Sequence, residues 1–280
     1  MEKRDTDSPA KPKLILSLTP AAFIHNIESV ENDEFLKIIR AEFDDNRLTY
    51  QKRIPTFHPE SAEEAARLMA LARRHRQKLF VAGYGNIIAP EGDRFGDRVT
   101  IKSDRQNSLV EIAPGDFYVV VQAGYPLMEL NPILKEHGLF LPHADLPYVG
   151  SVGGALAAGL CGTHQEHELP IGRYLLMAQI AVPEGKLIAP GSACFKSVSG
   201  FDIVKIFSPS WGLLGMIVTA TLRVLPLTAR TEYHDFVMRP LDYRPFADLY
   251  RNPGDNQNAR YSIKIKNKFD PDNILPLVET

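Results

Sequence analysis

Two clusters of glycine residues are the part of this sequence best suited to chemistry. Gly83 and Gly85 stand close together, directly after an apolar segment. Five of the chain's nineteen glycines fall between residues 150 and 162, where nearly every other residue is small. A backbone without side chains exposes its N–H groups, and clustered N–H groups bind anions such as a pyrophosphate. The residues leave a second interpretation open, which is tight packing of a small-residue helix against a sheet.

The common nucleotide-binding motifs do not account for these glycines. The chain contains no G-x-x-x-x-G-K-[ST] sequence, which excludes a P-loop. After Gly83 and Gly85, Ile88 stands where a Rossmann fingerprint has its third glycine, so a Rossmann domain is disfavoured. A phosphate site built on these glycines would therefore be of another type.

A helix, a strand and a turn position the first cluster. Ser61 and Glu64 form a capping box, and apolar residues recur at helical spacing as far as Ala72. Residues 79–82 are typical of a short buried strand, which leads directly into Gly83. Further strands are predicted at residues 99–101, 109–112 and 118–122.

The second cluster lies in a predicted small-residue helix between strands. Pro126 suits the first turn of an earlier helix, and Gly138 its C-cap. Pro183-Glu184-Gly185 is typical of a hairpin turn. Strands are predicted at residues 139–142, 175–182, 186–188 and 216–224. After Leu227 the apolar pattern weakens into short pieces.

Composition narrows the class of protein. The 280 residues are 44% hydrophobic and 24% charged, as in an ordinary globular chain. Thirty-two basic residues against 34 acidic ones give a net charge of -2, so binding to nucleic acid or to an anionic membrane is not expected. No apolar run approaches the ~20 residues of a transmembrane helix. The two cysteines cannot build a disulfide framework, and we expect a cytoplasmic protein.

Four short motifs, in this order along the chain, carry a resemblance to a known family. They are Ser151–Gly154, similar to T-I-G-G; Lys196–Asp202, similar to K-N-V-A-G-Y-D; Gly212–Ile217, similar to G-T-L-G-V-I; and Phe269–Ile274, similar to F-D-P-x-x-I. Residues 59–226, about 60% of the chain, resemble the FAD-binding domain of the vanillyl-alcohol oxidase/p-cresol methylhydroxylase (PCMH-type) flavoprotein superfamily. Within it, the likeness is closest to the FAD-binding subunit of glycolate oxidase.

The resemblance implies an α+β fold with a defined division of the chain. Residues 51–227 would form a PCMH-type FAD-binding domain of two α/β subdomains, 51–125 and 126–227. Residues 1–50 would be an N-terminal arm and cover segment. Residues 228–280 would be a short C-terminal extension, too short for a full substrate domain.

The resemblance also implies which residues bind FAD. The loop from Gly83 and the turn from Ser151 would wrap the pyrophosphate with backbone amides. The implied cofactor residues are Ala82, Gly83, Tyr84, Gly85, Asn86, Ile87, Pro142, Ser151, Val152, Gly153, Gly154, Gly159, Gly162, Thr163, His164, Gly215 and Ile217. The loop departs from the family's R-G-G-G-T, because it lacks the arginine and has Tyr84 in place of a glycine. Asn86 stands where some members carry a flavin-linking histidine, so non-covalent FAD is predicted.

Candidate catalytic and metal-binding residues are few. Lys196, near the flavin if the resemblance holds, could stabilise the reduced flavin or hold a carboxylate, but a lysine that fixes its own loop explains it equally simply. Cys161, His164 and His167 have a spacing that could attract a metal. Because they offer only three such ligands and the segment already has a flavin-loop interpretation, no metal is predicted.

These observations lead to one functional hypothesis and two alternatives. We expect an FAD-dependent oxidoreductase acting on CH–OH groups, as the flavin subunit of a glycolate oxidase-like complex. It would pass electrons between a small 2-hydroxy acid and a redox partner subunit of the iron–sulfur type. One alternative is a compact stand-alone FAD-dependent dehydrogenase that uses Lys196. The other is a flavin-fold scaffold that no longer binds FAD, an idea suggested by Tyr84.

Overall fold

The computed structural model describes residues 34–192 and 203–279. The helices are α1 (34–42), α2 (Ala62–Arg74), α3 (Leu130–Glu136), α4 (Val152–Ala158), α5 (Arg244–Arg251) and α6 (Gln257–Phe269). The strands are β1 (Leu48–Gln51), β2 (Ile54–Phe57), β3 (Lys78–Ala82), β4 (Arg98–Lys102), β5 (Leu109–Ala113), β6 (Tyr118–Gln122), β7 (Leu139–Phe140), β8 (Cys161–His164), β9 (His167–Pro170), β10 (Leu175–Ala181), β11 (Leu187–Ile188), β12 (Met216–Arg223), β13 (Leu225–Pro226) and β14 (Val237–Met238). Within the described ranges, no helix is long and apolar enough to cross a bilayer.

The described strands form two larger and two smaller sheets. The first has the order β1-β2-β4-β3, in which β2 and β3 run parallel to β4 and β1 runs antiparallel to β2. The second is antiparallel throughout, with the order β11-β10-β12-β6-β5. The pair β13-β7 and the three-stranded sheet β14-β8-β9 complete the set. The α+β prediction is confirmed by this mixture of helices and separate sheets.

Helix α2 joins the two larger sheets through one apolar core. Ser61 caps it as predicted, because its Oγ accepts a hydrogen bond of 3.1 Å from the Glu64 amide. Leu68 and Met69 on the helix are fully buried in a cluster with residues of both sheets, among them Leu79 of β3 and Met216 of β12. The strand before the first glycine cluster is thus held rigidly between helix and sheet.

The division predicted at residue 125 cuts across the second sheet. Strands β5 and β6 lie before this residue, yet β6 pairs with β12, which follows it by about ninety residues. The pairing joins Gln122 to Thr219 and Tyr118 to Arg223. The sheet arrangement therefore groups residues 109–122 with the later part of the chain. The division into subdomains 51–125 and 126–227 remains a prediction.

The C-terminal segment is more regular than its weak apolar pattern suggested. Helix α6 ends at Phe269, and the next residue, Asp270, is buried. Its carboxylate pairs with Lys266 and accepts hydrogen bonds from the amides of Ile274 and Leu275, at 2.9 and 2.8 Å. The carbonyl oxygen of Ile274 then accepts a 2.6 Å bond from the amide of Leu79 in β3. The F-D-P motif thereby fixes the chain end against the first sheet.

Replacing Asp270 by alanine should lower the free energy of unfolding by about 3 kcal/mol, because it leaves the Lys266 ammonium and two amides buried without their partner. The loss is measured by urea unfolding at neutral pH. Glu184→Ala, which removes an exposed partner of Lys186, is the control and should leave unfolding nearly unchanged. Equal effects of the two substitutions would contradict the stabilising role of the buried Asp270 carboxylate.

Candidate functional site

The two glycine clusters lie against each other. Gly83 follows β3, and Ser151 begins α4 as its N-cap, with its Oγ accepting a 3.1 Å hydrogen bond from the Gly154 amide. A Cβ atom on Gly83 would lie only 2.6 Å from Ser151 Oγ and 3.4 Å from Gly154 Cα. Contact between the loop and the helix therefore depends on the missing side chain at position 83.

A cavity opens beside this contact. The space between its walls, including the part that is open to solvent, is about 510 Å³. Its walls are Phe80, Val81, Ala82, Gly83, Tyr84, Gly85, Asn86, Ile87, Ile88, Tyr148, Gly150, Gly154, Ala157, Ala158 and Trp211. A second cavity of about 350 Å³ adjoins it. The second is lined by Val81, Ala82, Gly83, Ser103, Ala123, Gly153, Gly154, Ala157, Gly212, Gly215, Met216 and Ile217.

The free backbone donors at these cavities are concentrated in the loop, with those of Gly150 and Gly212 beside it, and are not in α4. No amide of residues 83–88 donates a hydrogen bond to another residue of the described chain. In α4, by contrast, the amides of Val152 and Gly153 donate to backbone oxygens of residues 125 and 123, at 2.9 and 2.7 Å. The Gly154 amide is taken by Ser151 Oγ. An anion in the cavity would therefore find its unpaired backbone donors mainly in the loop.

Neutral polar side chains hold the loop in place. Tyr84 donates a 2.8 Å hydrogen bond to the carbonyl oxygen of Gly124, and Asn86 Nδ2 donates one of 2.7 Å to that of Val149. Burial raises the pKa of Tyr84, so its hydroxyl stays protonated at neutral pH. Among the described residues, no Lys, Arg, His, Asp or Glu lines either cavity. These described wall residues therefore offer only neutral donors to a negative charge.

The predicted cofactor residues divide into a first group that lines a cavity and a second group that does not. Ten of them line one or both cavities: Ala82, Gly83, Tyr84, Gly85, Asn86, Ile87, Gly153, Gly154, Gly215 and Ile217. Ser151 and Val152 are fully buried at the start of α4. Like Ser151 and Val152, the other five line neither cavity: Pro142, Gly159, Gly162, Thr163 and His164. Lys196 lies outside the described residues.

Strand β8 and its neighbours enclose part of the second group. A side chain on Gly162 would run into the ring of Phe236. His164 stacks on Tyr233 at 4.4 Å and its Nδ1 is 2.9 Å from the carboxylate of Asp235, whose pKa this contact lowers. Within the described residues, no three of the His, Cys, Asp and Glu side chains are grouped so that they could hold a metal ion. These contacts account for the glycine and the histidine by packing.

Next to Pro142, His143 is a buried titratable residue. It lies in a short 3-10 turn and is fully excluded from solvent. Its Nε2–H donates to the carbonyl oxygen of Leu169 at 2.8 Å, while Nδ1 has no hydrogen-bond partner among the described residues. Burial lowers the pKa of this imidazole to about 4, so it is neutral in the folded protein.

Three aromatic residues of the first cavity, Phe80, Tyr148 and Trp211, were not among the predicted cofactor residues. Tyr148 stands two residues before Gly150, and Trp211 directly precedes the Gly212–Ile217 motif. Trp211 has a φ of 49°, and its amide donates a 2.8 Å bond to Ala157 of α4. Their closeness to glycine turns was a usable signal, but their meeting in one wall depends on tertiary packing.

Comparison with known proteins identifies the domain. Residues 55–189 match a family described as an FAD binding domain. The chain is 28% identical over 174 residues to the mitochondrial D-lactate dehydrogenase (cytochrome) of Arabidopsis thaliana, which covers 59% of this chain and 29% of that protein. It is 30% identical over 170 residues to bovine (Bos taurus) L-gulonolactone oxidase, with 61% and 37% covered. It is 27% identical over 121 residues to the glycolate oxidase subunit GlcE of Escherichia coli, with 42% and 34% covered.

Solved structures give the same fold. An alkyldihydroxyacetonephosphate synthase superposes with a TM-score of 0.58 at 22% identity, over 69% of this chain and 40% of that one. Residues 55–189, just under half of the chain, thus match an FAD-binding domain family, as the motifs indicated, and the α+β fold is confirmed. The chain spans about a third of the length of the curated relatives named above.

Replacing Gly83 by alanine should destabilise the protein by about 1–3 kcal/mol, because the new methyl group cannot fit against Ser151 Oγ without breaking the cap of α4. Gly115→Ala, where nothing lies within 4 Å, is the control and should stay within about 0.5 kcal/mol. Chemical unfolding measures both. In Gly83→Ala/Ser151→Ala the hydroxyl is gone, so the double variant should lose less than the two single losses together. Strict additivity would contradict the contact.

The free energy of unfolding should fall as the pH is lowered from about 6.5 to 4. In this range His143 takes up a proton in the unfolded chain but stays largely neutral in the folded protein. The depressed folded pKa stabilises the protein above pH 6.5, by about 3 kcal/mol, and this contribution is lost in acid. Unfolding curves at several pH values test this. His143→Gln should flatten the slope in this window. An unchanged slope in the variant would assign the pH dependence to other groups.

Proposed function

We propose that this chain binds FAD in the two adjoining cavities between the loop 83–88 and α4. The observation that carries the proposal is the loop itself, whose six consecutive backbone amides have no partner in the described chain and which lines the first cavity. A diphosphate is an anion that such donors fit. The match of residues 55–189 to an FAD-binding domain supports the same ligand.

The cavity walls suit the rest of the molecule as well. Val81, Ile88 and Trp211 provide apolar surface for a planar ring. Ile217 in the second cavity takes the adenine side, as the family resemblance implies. When bound, FAD supplies the redox chemistry; the chain's residues hold and orient it and exclude water. These apolar wall residues favour contact with the rings over binding of free phosphate.

Binding is proposed to be non-covalent. Asn86, at the position of the linking histidine of some family members, has an amide side chain that already donates to Val149. An amide nitrogen is not a nucleophile for the flavin ring. Denaturing the loaded protein and passing it through an ultrafilter should therefore release all flavin into the filtrate. Retained colour on the protein would contradict this proposal.

The reaction we propose is electron transfer from a small 2-hydroxy acid, with the chain as the FAD-binding part of an oxidoreductase that acts on CH–OH groups. The support is the likeness to two proteins named for this chemistry, a D-lactate dehydrogenase and a glycolate oxidase subunit. The subunit name favours a role within a complex, with an iron–sulfur partner and a cytoplasmic location as predictions that follow from the sequence. The stand-alone dehydrogenase differs in one respect, turnover by the isolated chain.

The visible spectrum of the purified protein tests the proposal. The protein, as purified or after addition of FAD, should show flavin absorbance that remains after gel filtration. Anaerobic addition of glycolate or D-lactate should leave the flavin oxidised in the isolated chain if it works as a subunit, and bleach it if it works alone. A protein that stays colourless after addition of FAD would overturn the proposal and favour the scaffold alternative.

A further inference from the structure

Tyr148 is a mostly buried residue in the wall of the first cavity, and its side chain carries a hydroxyl group. Only 7% of this residue is exposed. Its oxygen has no hydrogen-bond partner within residues 34–192 and 203–279. The structure therefore leaves this donor to something outside the described chain.

Two glycines give the Tyr148 hydroxyl its position. A Cβ atom on Gly150 would lie 2.6 Å from the hydroxyl oxygen, and one on Gly154 would lie 3.0 Å from it. The oxygen thus reaches the point where the second glycine cluster meets the loop that begins at Gly83. This is the side of the cavity next to the unpaired amides of residues 83–88.

The chemistry of the cavity defines what the hydroxyl can bind. Burial, with the nearby hydroxyl of Tyr84, raises the pKa of Tyr148 to about 12, so the phenol is a neutral donor at physiological pH. The hydroxyl of Tyr84 already donates to Gly124, whereas that of Tyr148 is unused. With no basic side chain among the described wall residues, a phenolic O–H is a strong candidate to meet an anionic oxygen.

We propose that the Tyr148 hydroxyl donates a hydrogen bond to the diphosphate of FAD beside the loop amides, in a wall where the described residues offer no basic side chain. This inference rests on the proposed function. A purely structural tyrosine would pack in the same place, but its hydroxyl would contribute nothing to ligand affinity. The two roles therefore differ in how affinity, rather than folding, responds to loss of the oxygen.

The test compares Tyr148→Phe with Tyr125→Phe in the full chain. Tyr125 is equally buried, with 7% exposed, but lines neither cavity, so it is a matched control. Dissociation constants are measured for FAD by fluorescence titration, and for ADP and inorganic pyrophosphate by competition. Tyr148→Phe should weaken all three about tenfold, because each loses the same hydrogen bond. Tyr125→Phe should leave all three unchanged, and the melting temperature of ligand-free Tyr148→Phe should not fall.

Each other outcome overturns one statement. If the unaltered protein binds FAD and Tyr148→Phe binds it equally well, the role of the hydroxyl is wrong and the proposed function stands. If FAD binding weakens but pyrophosphate binding does not, the hydroxyl contacts another part of the cofactor and the diphosphate assignment is wrong. If the unaltered protein does not bind FAD at all, the proposed function is wrong and this inference is lost with it.

Discussion

The close approach of Gly83 to Ser151 is the constraint on which the site depends. The two residues come from separate elements, the end of β3 and the start of α4, and only hydrogen atoms on the Gly83 Cα fit between them. The same serine closes the first turn of α4 through Gly154. Because the contact fixes the loop against the helix, the cavity between them has firm walls. A rigid, preformed site spends less binding energy on ordering its ligand.

The arrangement changes how the glycines are understood. The packing interpretation and the anion-binding interpretation were both open from the sequence, and the structure contains elements of each. Gly83, Gly153 and Gly162 are needed where neighbouring atoms come too close for a Cβ. The first amides of α4 donate to neighbouring backbone oxygens, whereas the loop amides have no partner in the described chain. The second cluster therefore serves mainly for packing, and the loop 83–88 holds the unpaired backbone donors.

The sequence predicted local elements well and their tertiary consequences poorly. Periodicity and a capping serine were sufficient to predict α2, because its apolar face and its cap are formed by residues close together in the sequence. Helix α6 was missed because its stability relies on the buried pair of Lys266 with Asp270, which has no apolar pattern. Ten of the seventeen predicted cofactor residues line the cavities: eight lie in or beside the two glycine clusters, and Gly215 and Ile217 lie in the later Gly212–Ile217 motif. Tyr148 was missed because its position is set by glycines that follow it in the chain.

Hydrogen exchange of individual backbone amides, measured by NMR with and without FAD, tests the central claim most directly. The claim is that the loop 83–88 supplies the backbone donors for the cofactor's diphosphate. We expect FAD to slow exchange at these amides strongly, while Val152, Gly153 and Gly154 change little because they are already hydrogen-bonded. Protection that appears in α4 and leaves the loop amides exchanging freely would contradict the account.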